Sequence, residues 1–154
     1  FLLLNFPFPW RNKAKCFLGD TGSTLLGLAV AWFLIAGTQH ELYRPVFALF
    51  LLAVPLTDTA CVMLRRALLG VSVSTPGRVH MHHVLIDSGV SSRHATLLIV
   101  AIAILVAAFG LLLELRQVPG WVMFLIFVCF LASNLVVFRS ADRAKMAIRE
   151  RWFS

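Results

Sequence analysis

Charged residues are scarce in this sequence, and their scarcity excludes most classes of soluble protein. Only 14% of the 154 residues are charged, whereas 60% are hydrophobic. A soluble domain averages about 25% charged and about 45–50% apolar residues, because a small domain must cover much of its surface with polar groups. Disorder is excluded for the opposite reason, since disordered segments are poor in apolar residues. The composition therefore predicts an integral membrane protein.

Cysteine is also rare, and its positions indicate no disulfide framework. Cys16, Cys61 and Cys129 are far apart and form no CxxC pair. The lysine that marks a phosphate-binding P-loop is missing as well. The chain starts with Phe1-Leu2-Leu3-Leu4 and has no basic segment typical of a signal peptide. We interpret this start as the end of an earlier helix.

Four long apolar stretches predict the fold. They cover residues 21–39, 45–64, 95–113 and 117–138, and each is close to the ~20 residues that a spanning helix needs. Each stretch is apolar on all sides rather than amphipathic, and a helix satisfies its own backbone groups where no water is available. We therefore predict that residues 1–154 form one portion of an all-α, polytopic membrane helix bundle with four transmembrane helices.

The basic residues are predicted to lie on one side of the membrane. The net charge is +7, and all fourteen Lys and Arg residues except Arg44 and Arg116 lie in segments 1–20, 65–94 and 139–154. Cytoplasmic loops of membrane proteins carry an excess of Lys and Arg. These three segments, including the C-terminus, are therefore predicted to face the cytoplasm from the inner (plasma) membrane. The positive charge is thus assigned to membrane topology, and no nucleic-acid partner is predicted.

A glycine-rich motif, Gly19-Asp20-Thr21-Gly22-Ser23, opens the first predicted helix. A helix N-terminus presents free N–H groups and partial positive charge, which suit a phosphate. Gly19 and Gly22 would let the backbone approach that phosphate closely, and Asp20 could hold a magnesium ion that bridges phosphate oxygens. The alternative interpretation is an ordinary helix cap, since Asp, Ser and Thr are common capping residues.

Three of the five histidines fall within four residues of one polar segment, Pro76-Gly77-Arg78-Val79-His80-Met81-His82-His83. In a helix His80 and His83 would share a face, whereas in an extended segment His80 and His82 would do so. We consider three hypotheses: hydrogen bonding at the headgroup level, an anion-binding or catalytic site that includes Arg78, and a metal site. Zinc has the weakest support, because no Cys, Asp or Glu stands nearby at ligand spacing.

Asp58 is a carboxylate inside the second apolar stretch. A charged residue within a span costs about 2.5–3.5 kcal/mol on insertion scales. Arg65 follows seven residues later, on nearly the same face of a helix. Either Asp58 faces a polar cavity below a functional site, or it reaches water or a neighbouring helix. The sequence leaves both interpretations open.

Taken in order, these motifs resemble those of the polyprenyl-phosphate N-acetylhexosamine-1-phosphate transferases. The likeness covers nearly the whole chain, and its HxHH motif is more similar to the N-acetylglucosamine branch than to the peptidoglycan branch. It implies transfer of a sugar 1-phosphate from a UDP-N-acetylhexosamine to undecaprenyl (polyprenyl) phosphate, with release of UMP. The cofactor implied is Mg²⁺, with Mn²⁺ as a possible substitute, and the setting is cell-wall and envelope polysaccharide biosynthesis.

The resemblance also implies roles for particular residues. Asp20 would be the magnesium-site aspartate. The catalytic group that contacts the sugar-nucleotide diphosphate would consist of His80, His82 and His83, with Arg78. Residues expected to bind the substrate or support the site are Gly19, Gly22, Ser23, Asp58 and Arg65. Two further loops of the family, one aspartate-rich and one containing Asn and Asp, precede the glycine-rich motif and are not present here. The chain is therefore predicted to be a C-terminal portion that is inactive without its N-terminal half.

Two other classes of function fit the same sequence. A metal-binding or transport protein would use the three histidines to bind a metal ion. A non-catalytic membrane subunit would use none of these residues.

Overall fold

The computed structural model describes residues 18–68, 70 and 80–153, excluding the side chains of residues 65, 68 and 138–153. This part of the chain folds into six helices and contains no strand. They are α1 (Gly19–Gln39), α2 (Pro45–Leu51), α3 (Ala53–Leu68), α4 (Met81–Asp87), α5 (Ser92–Leu115) and α6 (Gly120–Phe153). The all-α prediction is confirmed for these residues.

Three helices are long and apolar enough to cross a membrane. They are α1, α5 and the Gly120–Val137 part of α6. The second predicted span is different, because α2 and α3 pass the same test only as a pair and are bent by 81° at their junction. The described helices therefore number three candidate spans, or four if the bent pair crosses as one. The architecture is that of a polytopic membrane helix bundle.

The prediction of one unbroken helix over residues 45–64 is wrong, and Pro55 gives the physical reason. Proline has no backbone N–H, and its ring clashes with the carbonyl four residues earlier, which belongs here to Leu51. The chain leaves helical geometry at the next residue, Leu52, whose φ is −104° and ψ is 13°. α3 then starts at Ala53 in a new direction.

Other boundaries also differ from those predicted. α1 starts at Gly19, so the glycine-rich motif forms its first turn rather than preceding it. α6 starts at Gly120 rather than at residue 117, and the carbonyl of Pro119 accepts the first hydrogen bonds of that helix. α6 continues through Phe153, so the tail extends the last helix. The polar segment between α3 and α5 includes a helix of its own, α4.

The bent pair runs along α5 in the opposite direction. Arg44, just before α2, pairs with Glu114 near the end of α5. Further along, Phe50 packs against Phe109, with ring centroids 6.5 Å apart. Beyond the bend, the part of α3 around Asp58 shares a cavity with the first half of α5. The contacts thus move steadily towards the start of α5 as the chain passes from α2 to α3.

A small apolar core holds α2, α3 and α6 together. Its buried members are Phe47, Phe50, Ala53, Met123 and Phe127. Phe50 and Phe127 meet edge to face, with ring centroids 6.1 Å apart, which is a favoured geometry for aromatic pairs. This core lies around the bend and leaves the opposite end of α3 free to meet α4.

α1 contributes little to that core. Most of its large apolar side chains are exposed, and Phe33 is 72% exposed. A helix that is apolar all round and exposed suits a lipid environment. Its C-terminal end is held by Tyr43, whose hydroxyl donates hydrogen bonds to the carbonyls of Leu34 at 3.2 Å and Phe33 at 3.4 Å.

Gly110 allows α5 to pack directly against Phe50. A Cβ atom added at Gly110 would lie 2.6 Å from Cγ of Phe50, and both residues are buried. We therefore expect Gly110→Ala to lower the free energy of unfolding by about 1–2 kcal/mol, as overpacking does in other cores. Thermal unfolding in detergent measures this effect. Gly27→Ala is the matched control, because a Cβ at Gly27 meets nothing within 4 Å. Equal melting temperatures for the two variants would contradict the prediction.

Candidate functional site

The three histidines of the HxHH motif lie together at the start of α4. His80 precedes the helix with an extended backbone, at φ −90° and ψ 157°, and Met81 begins the helix. The rings of His80 and His82 are stacked, with centroids 5.9 Å apart and planes within 6° of each other. The rings of His82 and His83 are 4.0 Å apart. The structure thus selects the His80–His82 pairing and places His82 between its two neighbours.

The short chain from α4 to α5 sets the position of this cluster. α4 ends at Asp87, and Gly89 follows with φ +90°, a left-handed conformation that glycine adopts with little strain. Ser91 then caps α5, because its hydroxyl accepts a hydrogen bond from the backbone N–H of His94. The turn is tight, so α4 stays close to the start of α5.

Asp58 reaches from α3 to the start of α4. Its Oδ2 lies 2.9 Å from Nδ1 of His80, and its Oδ1 accepts a hydrogen bond from the backbone N–H of Met81 at 2.8 Å. The Asp58 side chain is 19% exposed. The interpretation that Asp58 reaches a neighbouring helix is therefore confirmed for this contact. Its partner is a member of the histidine cluster.

Asp58 also lines a cavity of about 300 Å³ between α3, α4 and α5. His82 borders the same cavity. The remaining walls are apolar and include Val54 of α3 and Ala103 of α5. The cavity therefore combines a polar end, formed by a carboxylate and an imidazole, with an apolar body. The sequence could not predict which residues of α5 line the cavity, because apolar residues occupy nearly every position along that helix.

The environment of His82 favours its neutral form. Partial burial has the largest effect and lowers the pKa of His82 from 6.5, and nearby His83 and His80 lower it further. Asp58 acts in the opposite direction with the smallest effect. A lowered pKa leaves the imidazole mostly neutral at pH 7. It can then donate one hydrogen bond and accept another.

The glycine-rich motif lies at the start of α1, and it does not form an ordinary cap. The capping position is occupied by Leu18, which makes no side-chain capping hydrogen bond. Ser23 donates its hydroxyl to the backbone carbonyl of Asp20 at 2.9 Å, and Asp20 itself lies exposed in the first turn. Gly19 has φ +68°, so its backbone conformation favours glycine. Gly22 faces the side chain of Leu18, which a Cβ would approach to 2.8 Å.

The structure brings together only some of the predicted site residues. His80, His82, His83 and Asp58 form one cluster. Among the described residues, no hydrogen bond, ion pair or ring contact joins that cluster to the start of α1, where Gly19, Asp20, Gly22 and Ser23 lie. Arg78 and the side chain of Arg65 lie outside the described residues.

The cluster does not have the geometry of a metal site. Within the described ranges, no group of three or more His, Cys, Asp or Glu side chains is arranged to hold a metal ion. The hypothesis of a metal-binding or transport protein that uses the three histidines therefore gains no support from these residues. The fold and the cluster define a polytopic membrane protein with polar, titratable groups concentrated beside an apolar cavity.

Comparison with known proteins gives a more specific result. The chain is 40% identical over 126 residues to the undecaprenyl-phosphate alpha-N-acetylglucosaminyl 1-phosphate transferase of Haemophilus influenzae, and the match covers 80% of this chain and 36% of that protein. The proteins of the same name in Pasteurella multocida and Escherichia coli K12 are 38% and 40% identical over 130 and 131 residues. Each match covers 83% of this chain and 36% or 35% of the relative. No family model matches the chain, and no solved structure does.

This level of identity over four fifths of the chain shows common ancestry with these transferases. The family resemblance predicted from the motifs is therefore confirmed. The chain spans only about a third of the length of the relatives it matches.

Proposed function

We propose that this chain forms part of an enzyme that transfers N-acetylglucosamine 1-phosphate to undecaprenyl phosphate. A phosphate oxygen of the lipid would attack the sugar-bearing phosphorus of UDP-N-acetylglucosamine. One P–O–P bond would form as another breaks, and UMP would leave. The observation that carries this proposal is the 40% identity to proteins named for this activity. The match covers four fifths of the chain, a length that must contain the histidine cluster.

The direction of the bent helix pair supports a four-span topology for the site. Because α2 and α3 run antiparallel to α5 from the Arg44–Glu114 end to the Asp58 end, we infer that the pair crosses the membrane as one broken span. The start of α1 and the histidine cluster then lie on the same side. The excess of basic residues in the same segments supports the proposal that this side faces the cytoplasm from the inner membrane.

The start of α1 suits a phosphate together with a magnesium ion. Mg²⁺ is commonly bound by one or two carboxylates, several waters and substrate phosphates. The exposed carboxylate of Asp20 in the first turn fits that donor set. Magnesium, or manganese in its place, would spread the negative charge of the diphosphate when bound. The free N–H groups in the first turn of α1 would hold phosphate oxygens.

The histidine cluster and its cavity suit the other parts of the two substrates. The neutral ring of His82 can donate a hydrogen bond to a phosphate oxygen, and His80 and His83 stand on either side of it. Arg78 would add positive charge to this group. The apolar wall between α3 and α5 offers space for a hydrocarbon chain beside the polar end.

The test uses a chimera, because this chain spans about a third of the relatives. The matched segment of the Escherichia coli protein is replaced by this chain, and UMP release is measured with UDP-N-acetylglucosamine and undecaprenyl phosphate in vesicles. We expect transfer by the chimera that is lost on chelation and restored by Mg²⁺, and no transfer by the isolated 154-residue chain. A chimera that inserts in the membrane at normal levels but releases no UMP would contradict the proposed function. UMP release by the isolated chain would contradict the expectation that the chain is inactive alone.

A further inference from the structure

The two oxygens of the Asp58 carboxylate bind two different parts of the histidine segment. Oδ1 accepts from the backbone N–H of Met81, the first residue of α4, and Oδ2 lies 2.9 Å from Nδ1 of His80. The residue in the capping position, His80, makes no side-chain capping hydrogen bond of its own. A carboxylate from a different helix therefore satisfies one of the free N–H groups that every helix leaves at its start.

The contact also determines which nitrogen of His80 carries a proton. An ionised carboxylate is only an acceptor of hydrogen bonds. If the carboxylate is ionised, Nδ1 of His80 is the nitrogen that carries the proton and donates to Asp58, whether the ring is neutral or charged. Only Nε2 then remains available for a ligand. In histidine sites generally, the partner of one ring nitrogen decides the role of the other.

The ring of His80 in turn constrains the next histidine. The planes of His80 and His82 differ by only 6°, so a rotation of His80 about its side-chain bonds would remove the surface on which His82 lies. His82 borders the same cavity as Asp58. The position of the cluster relative to α3 therefore depends on a carboxylate 22 residues before His80, whereas the tight turn capped by Ser91 holds α4 beside α5.

We propose that Asp58 is a positioning residue: it anchors the start of α4 and holds His80 as the Nδ1–H tautomer, so that Nε2 of His80 and the ring of His82 face the substrate. The role of the cluster in transfer rests on the proposed function. The anchoring and the tautomer do not, because both follow from contacts within this chain. Asp58 itself need not touch a substrate.

Nitrogen NMR of the full 154-residue chain, labelled at histidine and placed in nanodiscs, tests the tautomer directly. We expect the wild-type Nδ1 of His80 to be protonated. In Asp58→Asn the amide oxygen would still accept the hydrogen bond from the Met81 N–H. The opposite orientation of the amide would place its NH₂ group against that N–H, and two donors cannot bond to each other. The amide N–H would then donate to Nδ1 and move the ring proton to Nε2. Glu41→Gln is the matched control, because it removes a carboxylate from the exposed link after α1.

Hydrogen exchange separates anchoring from the tautomer. Asp58→Ala removes both contacts, so the amides of α4 should exchange faster, whereas Asp58→Asn should leave their exchange close to that of the wild type. If Asp58 had a merely structural role, the amides of α4 would exchange faster in Asp58→Ala, but the tautomer of His80 would not change in Asp58→Asn. A wild-type His80 protonated at Nε2 but not at Nδ1, or no change of His80 in Asp58→Asn, would overturn the proposal.

The chimera that carries this chain provides the kinetic measurement. We expect Asp58→Asn to lower kcat about 10- to 100-fold, the usual loss when the partner that orients a functional histidine is removed, with little change in KM for the nucleotide sugar. A wild-type rate in Asp58→Asn would overturn the positioning role. If the tautomer changes as expected but the unsubstituted chimera releases no UMP, the proposed function fails and the positioning of His80 by Asp58 stands.

Discussion

Replacing His82 with alanine in the transferring chimera is expected to lower the rate of UMP release about 100- to 1,000-fold, a typical loss for one donor to a developing charge. The position of His82 gives the reason. Its ring lies between those of His80 and His83 and borders the cavity next to Asp58. Its lowered pKa keeps the ring neutral near pH 7, so the ring can hold a hydrogen bond without adding a charge. Rates at saturating substrate, with membrane levels compared by immunoblot, measure the effect.

His40→Ala is the matched control for His82→Ala. His40 is exposed at the C-terminal end of α1, away from the histidine cluster along the chain. We expect this variant to transfer at the rate of the unsubstituted chimera.

Asp20→Asn should reduce transfer to a degree comparable with His82→Ala, and the loss should be partly recovered at high Mg²⁺ if the carboxylate holds the metal. Full activity in both His82→Ala and Asp20→Asn would refute the assignment of the site.

The second large effect concerns stability and the link between Arg44 and Glu114. Nε of Arg44 lies 3.0 Å from both carboxylate oxygens of Glu114, and the backbone N–H of Arg44 donates to the same group at 3.1 Å. Nη1 of Arg44 donates to the carbonyl of Val118. Glu114→Ala would leave the guanidinium of Arg44, whose side chain is only a third exposed, without its counter-charge. We expect a loss of about 2–4 kcal/mol in the free energy of unfolding, somewhat below the range for fully buried pairs.

Denaturant unfolding of the chain in mixed micelles measures this loss. Arg116→Ala serves as the control, because Arg116 lies exposed in the same link between α5 and α6. Its removal should change stability by less than about 0.5 kcal/mol, as for most surface substitutions. A double-mutant cycle between Arg44→Ala and Glu114→Ala should show strong coupling. Additive effects of the two substitutions would exclude the link as a source of stability.

The ion pair between Arg44 and Glu114 could not be predicted from the distribution of charged residues along the sequence. In the sequence, Arg44 and Arg116 were alike: the two basic residues outside the basic segments. The structure separates them, because Arg44 is bound by Glu114 and Val118 whereas Arg116 is exposed. Glu114 lies 70 positions beyond Arg44. A pairing over that distance depends on how α2 packs beside the end of α5, which no local pattern of residues specifies.

The composition and the apolar runs of the chain are sufficient to assign the class of the protein. Helix formation across a membrane depends on a run of about 20 apolar residues, which is a local property, so both ends of α1 and α5 and the start of α6 were predictable to within a few residues. The motifs Gly19-Asp20-Thr21-Gly22-Ser23 and His80-Met81-His82-His83 were sufficient to recognise the family, and the identity to known transferases confirms it. Pro55 was visible too, but a proline indicates only that a helix is interrupted. The bend of 81° depends on the packing of α2 and α3 around Phe50.

Which side chains of the site meet depends on how the helices pack. The contact between Asp58 and His80 joins α3 to the start of α4 across 22 residues. The stacking of His80 on His82 occurs with His80 in an extended conformation just before α4 begins at Met81. Part of the apolar wall of the cavity comes from α5, where apolar side chains repeat along the helix. Hydropathy and motif order are read along the chain, one segment at a time. The geometry of a site depends on distances between segments, and those exist only once the helices have packed.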